Sequence, residues 1–414
     1  MRGKVGSMQR VFVGMSGGVD SSLTAALLVE QGYDVTGVYM KNWSQDLPGM
    51  KCPWADDLAD AKRVAVQLGI DFQVYDFEQE YRDKVVQYMI EEYKLGRTPN
   101  PDIMCNQEVK FRLFLDAALA NGADMIATGH YARVEHHDEI EPIFREAAGF
   151  RHDNLLHNSL HPAELARQDA LRQSSNGQEL HSKSSGNTKA SPKIGSIPRS
   201  RLLMAADQKK DQTYFLYRVT GQALGRTLFP LGGYTKGEVR EMAQKRGLYT
   251  AGKKESMGIC FVGQIGIREF LSEYVETKHG DIVDKQSGDV VGKHDGAIFY
   301  TLGQRHGLDI GGGLPYYVVG KDMSQNIIYV SQNINDDNIW RRQIELSNIH
   351  WVNQSPSDEQ LQNLQVRIRH RAPLISTTLQ GSTLQLSEPQ RAVAAGQSAV
   401  LYSGEECLGG GIIA

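Results

Sequence analysis

The stretch Val11-Phe12-Val13-Gly14-Met15-Ser16-Gly17-Gly18-Val19-Asp20-Ser21-Ser22 decides how the rest of the chain is read. Val11 to Val13 predicts a short buried strand, Ser16 to Asp20 a polar glycine-rich turn, and Leu23 to Val29 carries helical apolar spacing. Strand, tight turn and helix N-terminus together make an anion site, because backbone N–H groups converge there and the helix dipole favours negative charge. Gly17 and Gly18 let the backbone approach a phosphate closely, and Ser16, Ser21 and Ser22 add hydroxyl donors. Asp20 would repel phosphate directly and fits an N-cap or a magnesium ligand.

The run matches neither G-x-x-x-x-G-K-[ST] nor G-x-G-x-x-G. Ser-Gly-Gly-Val-Asp-Ser, set between a first strand and a helix, resembles the pyrophosphate loop of the ATP-pyrophosphatase family. That resemblance implies an enzyme that splits ATP between its α- and β-phosphates and uses AMP to activate an oxygen. Without it, the run is a glycine-rich turn capping a helix.

The 414 residues are long enough for two or three domains, and 40% hydrophobic with 23% charged residues fits a globular chain. No apolar run reaches membrane-spanning length, so no membrane association is expected. A net charge of −4 does not announce a strongly basic nucleic-acid binder, though a local basic groove is compatible with it. The four cysteines, Cys52, Cys105, Cys260 and Cys407, form neither a disulfide framework nor a C-x-x-C pair, which suits a reducing compartment. Met1 to Arg10 is basic but shorter than a usual transit peptide.

Outward from the loop, strands are expected at Asp34–Met40, Asp71–Tyr75 and Met125–Tyr131, with helices at 53–68, 77–95 and 108–119. This alternation predicts a parallel sheet with helices on both faces. Met40, at a strand end, and Gly129, in Thr128-Gly129-His130-Tyr131, fall where open α/β sheets bind ligands. His130 suits a phosphate or base contact or a structural role. In Gly96-Arg97-Thr98-Pro99-Asn100-Pro101-Asp102-Ile103-Met104-Cys105-Asn106 the prolines predict an extended loop. Cys105 before a helix would be favoured as thiolate, with Asp102 as proton acceptor or donor; a buried structural thiol is the alternative. Cys260 follows Lys253-Lys254 in a short loop, a weak signal alone.

From 138 to 200 Ser, Asn, Gln, His and Lys dominate, with seven Lys/Arg against four Asp/Glu between 151 and 200. This predicts a disordered insertion, or an auxiliary RNA contact. Arg201–Asp207 reads as a strand, Lys210 and Gln212 suit phosphate and base edges, and Thr235 with Glu238 forms a capping box. After Ile267–Val275, a helix, short alternating runs that include Ala297–Tyr300 predict a small β-rich domain and then a β-barrel. Arg367, Arg369 and Arg371 alternate, which on a strand puts them on one face, as a phosphate-binding stripe or a solvated one.

Several stretches resemble the tRNA-specific 2-thiouridylase family: Gly14 to Ser22, Met40-Lys41-Asn42-Trp43, Thr98-Pro99-Asn100-Pro101-Asp102, Cys105-Asn106, Thr128 to Tyr131, Lys210-Asp211-Gln212, Gly258-Ile259-Cys260-Phe261, Tyr300 to Arg305, and Ala395-Gly396-Gln397-Ser398. The chain is identified as a member of that family, possibly its mitochondrial form by the insertion and the wording around Glu255, with a bacterial-type cytoplasmic protein as the alternative. The resemblance implies an α/β fold: a Rossmann-like parallel-sheet pyrophosphatase domain over 1–263, interrupted by the insertion at 138–200, a small central β-rich domain over 264–338, and a C-terminal β-barrel over 339–414 that contacts tRNA.

The implied activity is ATP-dependent 2-thiolation of the wobble uridine of tRNA, on the Lys, Glu and Gln tRNAs. ATP and Mg2+ are the implied cofactors, ATP being bound by Gly14, Met15, Ser16, Gly17, Gly18, Val19, Asp20, Ser21, Met40 and Gly129. Asn100, Pro101 and Asp102 would line the flipped base, and His130, Lys210, Asp211, Gln212, Arg369, His370 and Gln397 would contact tRNA. The family often has Arg-Tyr at Arg369-His370 and proline at Ala395. Cys260 would carry a persulfide from a sulfur-donor protein; Cys105 would cleave it, leaving a disulfide for a reductant, with Asp102 as acid/base. The competing readings are another adenylating ATP-pyrophosphatase acting on tRNA, which needs no cysteine pair, and a non-catalytic RNA-binding protein.

Overall fold

β1 (Arg10–Gly14) carries the apolar run at its centre, and Val11, Phe12 and Val13 are all buried. It lies in the middle of a five-stranded, all-parallel sheet of order β3-β2-β1-β4-β7, with β2 at Asp34–Lys41, β3 at Asp71–Asp76, β4 at Met125–Ala127 and β7 at Thr227–Leu228. A strand covered on both faces must be apolar throughout, which is why β1 reads as a continuous run and not as an alternation. Val11 pairs with Val35 on one side and Met125 on the other. The chain winds one way from β1 to β2 and β3, then returns to the opposite side for β4. The gap beyond the carboxyl ends of β1 and β4 is therefore the switch point where such sheets bind ligands.

The computed structural model describes residues 8–46, 52–136, 200–254, 267–311, 313–333 and 339–414. The expected insertion, apart from Ser200, and Cys260 lie outside them. No described helix is long and apolar enough to cross a membrane.

Two further sheets follow. β8 (Gly280–Asp284), β9 (Val290–His294), β10 (Tyr317–Asp322) and β11 (Ile327–Ser331) form a four-stranded unit of order β10-β11-β8-β9. Ala297–Phe299, expected as strand, is a turn of 3-10 helix entered at Gly296 with φ +152. The last six strands, β12 (Trp340–Trp351), β13 (Leu364–Arg367), β14 (Ile375–Gln380), β15 (Thr383–Arg391), β16 (Ser398–Ser403) and β17 (Glu406–Ile413), run in the order β12-β15-β14-β13-β16-β17, and β12 pairs with β17 to close a barrel.

The sequence does not announce how these parts join. Arg201–Leu203, β6, is shorter than the expected strand and does not enter the parallel sheet. It pairs with β5 (Arg133–Glu135) and with barrel strand β17, Cys407 facing Leu202. One hydrophobic cluster runs from Phe12 and Phe114 through Tyr214 and Tyr217 to Tyr402 and Cys407. Trp43, an anchoring strand-end residue, meets Phe270 edge to face at 5.9 Å.

Candidate active site

Gly18, in extended conformation, is the N-cap of helix α1 (Val19–Glu30), and no side chain caps it. The expectation that Asp20 caps this helix is corrected: Asp20 lies inside the first turn. Its carboxylate accepts hydrogen bonds from Lys236 Nζ at 2.7 and 2.8 Å and from the Tyr131 hydroxyl at 2.9 Å. Lys236 opens the helix Lys236–Lys245, and the expected Thr235–Glu238 capping box fixes that opening turn. The loop is drawn together by hydroxyls, since Ser21 Oγ accepts from Ser16 N at 3.2 Å and Ser22 Oγ donates to Gly18 O at 2.8 Å.

Its glycines are spaced for close approach. Gly17 has φ +73, and a Cβ there would stand 2.3 Å from Asp57 O. A Cβ on Gly129 would stand 2.9 Å from Ser21 N, so the loop after β4 lies against the start of α1. Met40 Cε would be 2.9 Å from a Cβ on Gly14. Gly14 and Met40, from neighbouring strands, thus touch at the carboxyl end of the sheet, and Gly129, from the loop after β4, lies against the start of α1. Met15 and Val19 are buried core residues beneath it.

The proline loop differs from expectation after Pro99. Asn100 Oδ1 accepts from Asp102 N at 3.2 Å and Ile103 N at 3.4 Å, and Pro101 takes the first helical position. Both are strong helix starts, so the helix begins at Pro101 and not at Glu108. It runs through Pro101–Met104, is π-helical over Cys105–Leu113, and continues as Phe114–Ala120. Asp102 and Cys105 therefore stand three residues apart on one helical face instead of in a loop, with Cys105 fully buried. The preceding loop is pinned: Thr98 N donates to Ala395 O at 2.8 Å, and Thr98 Oγ1 meets Thr301 Oγ1 at 3.2 Å.

The remaining expected contacts divide. His130 is buried between Phe111 and Phe229, with Nδ1 2.8 Å from Thr128 Oγ1. Burial, and then Lys110, push its pKa well below the usual imidazole value, so it carries no charge to offer a phosphate at neutral pH. Asp211 is interior: it accepts from Ala205 N, from Thr213 Oγ1 at 2.8 Å and from Arg367 at 2.9 Å. A tRNA contact by its side chain is thereby corrected to a structural tie with the barrel. Gln212 Oε1 accepts from Tyr131 N at 2.9 Å, and Gln397 Nε2 donates to Thr98 O at 2.8 Å, so both brace neighbouring loops. Lys210 is half-buried in the turn before them.

His370 is half-buried with its ring 4.4 Å from that of Phe215. Burial first, and the Arg371 charge next, push its pKa down to about 4. The arginine stripe does not exist as one face. β13 (Leu364–Arg367) ends at Arg367, which is buried; Arg369 is exposed, and Arg371 turns away at φ +64. Of the other thiols, Cys52 and Cys407 are buried and burial raises both pKa values, which suits inert structural cysteines.

Lys236 and Tyr131 are site residues that spacing alone misses, because Lys236 lies far along the chain from Asp20. The capping box reveals its helix but not what that helix faces. Among the described residues no group of three or more His, Cys, Asp or Glu is arranged to hold a metal.

Residues 9–167 and 188–264 match the family described as tRNA methyl transferase HUP domain. Residues 268–332 match the tRNA methyl transferase PRC-barrel domain, and 341–413 the aminomethyltransferase beta-barrel domain. The tRNA-specific 2-thiouridylase MnmA of Pediococcus pentosaceus is 41% identical over 98% of this chain and 95% of its own length. Its counterpart in Enterococcus faecalis is 40% identical over 98% of this chain and 96% of its own.

The chain belongs to the tRNA-specific 2-thiouridylase family.

The parallel sheet with a glycine loop at its switch point, the small central β unit and the closed terminal barrel are the three parts those matches describe. The family descriptions name methyl transfer and the relatives name thiolation, so the chemistry must be argued from the cysteines and the loop.

Proposed function

We propose that this chain 2-thiolates the wobble uridine of tRNA at the expense of ATP. One observation carries the reading. The glycine loop lies at the switch point of the parallel sheet, and the helix starting at Pro101, with Asp102 and Cys105 on one face, packs there through Phe114, 3.5 Å from a Cβ on Gly14. A pyrophosphate loop and a thiol-bearing helix packed on the same sheet are what adenylation followed by sulfur transfer needs; methyl transfer calls for neither. The chain's relatives, named 2-thiouridylases, support the same reading.

ATP would lie with its phosphates on Gly14 to Ser21 and its nucleoside against Met40 and Gly129. Magnesium supplies charge neutralisation at the phosphates, and Asp20 is the loop carboxylate that would hold it, giving up its pair with Lys236. The target uridine must leave its stack to be reached, and Asn100, Pro101 and Asp102 would line it. Its C2 oxygen attacks the α-phosphate and releases pyrophosphate. The terminal sulfur of a persulfide on Cys260 then attacks C2 and expels AMP. Cys105 cleaves the persulfide, and a reductant resolves the resulting Cys105–Cys260 disulfide; Asp102 handles protons. A sulfur-donor protein loads Cys260. The bacterial relatives favour the bacterial-type cytoplasmic alternative over a mitochondrial one.

The test is nucleoside mass spectrometry on unmodified tRNA incubated with protein, ATP, magnesium and sulfide, beside Cys105→Ser and Cys260→Ser. The expected result is 2-thiouridine at the wobble position with wild type, from sulfide or from a persulfide donor supplied in its place, and none from the persulfide donor with Cys105→Ser, which still binds ATP. Activity of Cys260→Ser with sulfide would restrict Cys260 to sulfur delivery. ATP use without 2-thiouridine would turn the reading to another adenylating tRNA enzyme.

A further inference from the structure

The glycine loop offers a phosphate amides and hydroxyls but no positive side chain. Gly14 to Ser22 contains neither Lys nor Arg, and its one charged residue, Asp20, is negative. Asp20 stands in the first turn of α1, where its carboxylate competes with a phosphate for the helix N-terminus. A chain of phosphates beside this loop therefore needs a cation from elsewhere. Ser16 is exposed and the Asp20 side chain is 31% exposed, so this face is open to solvent.

Lys236 brings a cation there from far along the chain. Its Nζ donates to both oxygens of the Asp20 carboxylate, at 2.7 and 2.8 Å, and lies 5.6 Å from the centroid of the Tyr131 ring. The backbone under it is fixed. Lys236 N donates to Asp207 Oδ2 at 3.0 Å, and Thr235 and Glu238 close the capping box. Val239 and Ala243 on the same helix are buried in one cluster with Val19, Leu23, Ala26 and Leu27 of α1. Those apolar contacts dock the helix without help from the ion pair, which lies at a partly open site where such a pair adds little stability. What the pair does provide is an ammonium on a flexible four-carbon stem, carried by a rigid base, beside the N-terminus of α1.

We propose that Lys236 is a substrate-contacting residue of the ATP site, whose ammonium moves from Asp20 onto the terminal phosphates of ATP and stays with the pyrophosphate as it leaves. The inference rests on the reading that this loop takes ATP. Met40 meets Gly14 at the strand end of the loop, whereas Lys236 stands at the helix end, so the phosphates and not the nucleoside are within its reach. The move exchanges one anionic partner of the ammonium for another. Asp20 keeps the Tyr131 hydroxyl, at 2.9 Å, and is available to hold magnesium. As the bond between the α- and β-phosphates breaks, negative charge grows on the departing pyrophosphate, and an ammonium already in contact with it stabilises that charge.

The experiment is equilibrium dialysis of labelled ATP and labelled AMP, with magnesium, against the full chain as wild type, Lys236→Met, Asp20→Asn and the double variant. AMP carries the α-phosphate alone, so it reports the pocket without the contacts made to the terminal phosphates. Lys236→Met is expected to weaken ATP binding about tenfold while AMP binding stays at the wild-type level. The same loss of ATP relative to AMP should appear when Lys236→Met is added to Asp20→Asn, because a direct contact does not depend on the carboxylate. Should Lys236→Met fail to fold, Lys236→Gln decides by the same ratio in both backgrounds. Equal losses of ATP and AMP would make the ion pair a structural tie and overturn the proposal. A loss of ATP that vanishes in the Asp20→Asn background would mean that Lys236 only masks Asp20, and would overturn it too, as would wild-type ratios throughout. In each of these cases ATP binding by the wild type leaves the functional reading standing. A wild type that binds no ATP would overturn that reading and the proposal with it.

Discussion

At the glycine loop, groups from distant segments converge on one small volume. Gly14 and Met40 approach from two strands, Gly129 touches the start of α1, and Lys236 and Tyr131 meet on Asp20. Along Arg367 to Arg371, by contrast, neighbours diverge. Arg367 goes inward to Asp211, Arg369 faces a cavity beside Arg391, and Arg371 points to solvent. The difference is one of backbone. A strand-turn-helix unit aims its amides and hydroxyls by itself, whereas alternating arginines share a face only while the strand lasts, and β13 stops at Arg367.

The largest break in this contrast should come from Asp211→Ala. It leaves the Arg367 guanidinium buried without its counter-charge, beside Tyr402, and should lower the unfolding free energy by about 3–5 kcal/mol. Urea melts measure it, and a loss below about 1 kcal/mol would mean the tie between the barrel and the turn that carries Asp211 is not a buried ion pair in effect.

Gly17→Ala comes next. The left-handed backbone alone costs about 1–2 kcal/mol, and the added Cβ would press on the Asp57 carbonyl. ATP binding should be lost while the fold survives. Gly14→Ala should do less, because what it meets is the flexible end of Met40. Equal effects on ATP binding would argue that Gly17 has no special closeness to α2 (Trp54–Leu68).

A smaller effect links the two regions, because each holds an imidazole whose pKa is pushed down, His130 by burial and Lys110, His370 by burial and then chiefly by Arg371. The unfolded chain binds protons near pH 6.5 that the folded chain refuses. Stability is therefore complete above that pH and falls as pH drops towards about 4, where His370 titrates in the fold. His130→Gln should flatten that fall in denaturant melts from pH 7 to 4; an unchanged slope would mean His130 is protonated in the folded state.

The smallest effect belongs to Arg371, exposed at φ +64. Arg371→Ala should move the melting free energy by no more than about 0.5 kcal/mol. Arg371→Gly should raise it slightly by relieving the left-handed backbone. A large loss in either would restore the idea of a cooperative arginine face.

The parallel sheet was readable because its central strands are short, largely apolar runs separated by amphipathic helices, a pattern local to each segment. Thr235–Glu238 was readable for the same reason. The start of the Asp102–Cys105 helix was legible in principle, since Asn100 and Pro101 are a capping pair, but two prolines also describe a loop and the chain alone does not choose. Ala297–Phe299 was misread because four apolar residues fit a short strand as well as a 3-10 turn.

By itself the sequence determined the glycine loop, its strand and helix, the order of the three parts, and the family to which they belong, because these depend on residue type at short spacing. Only the tertiary structure decided that Lys236 faces Asp20, that Asp211 serves Arg367 and not a ligand, that Gln397 braces Thr98, and that Arg391 stacks on Tyr317 over a cavity. Each of those pairings spans long stretches of chain. Which partner a charged side chain finds is set by where the sheets and barrel bring distant backbone together, and no local pattern encodes that.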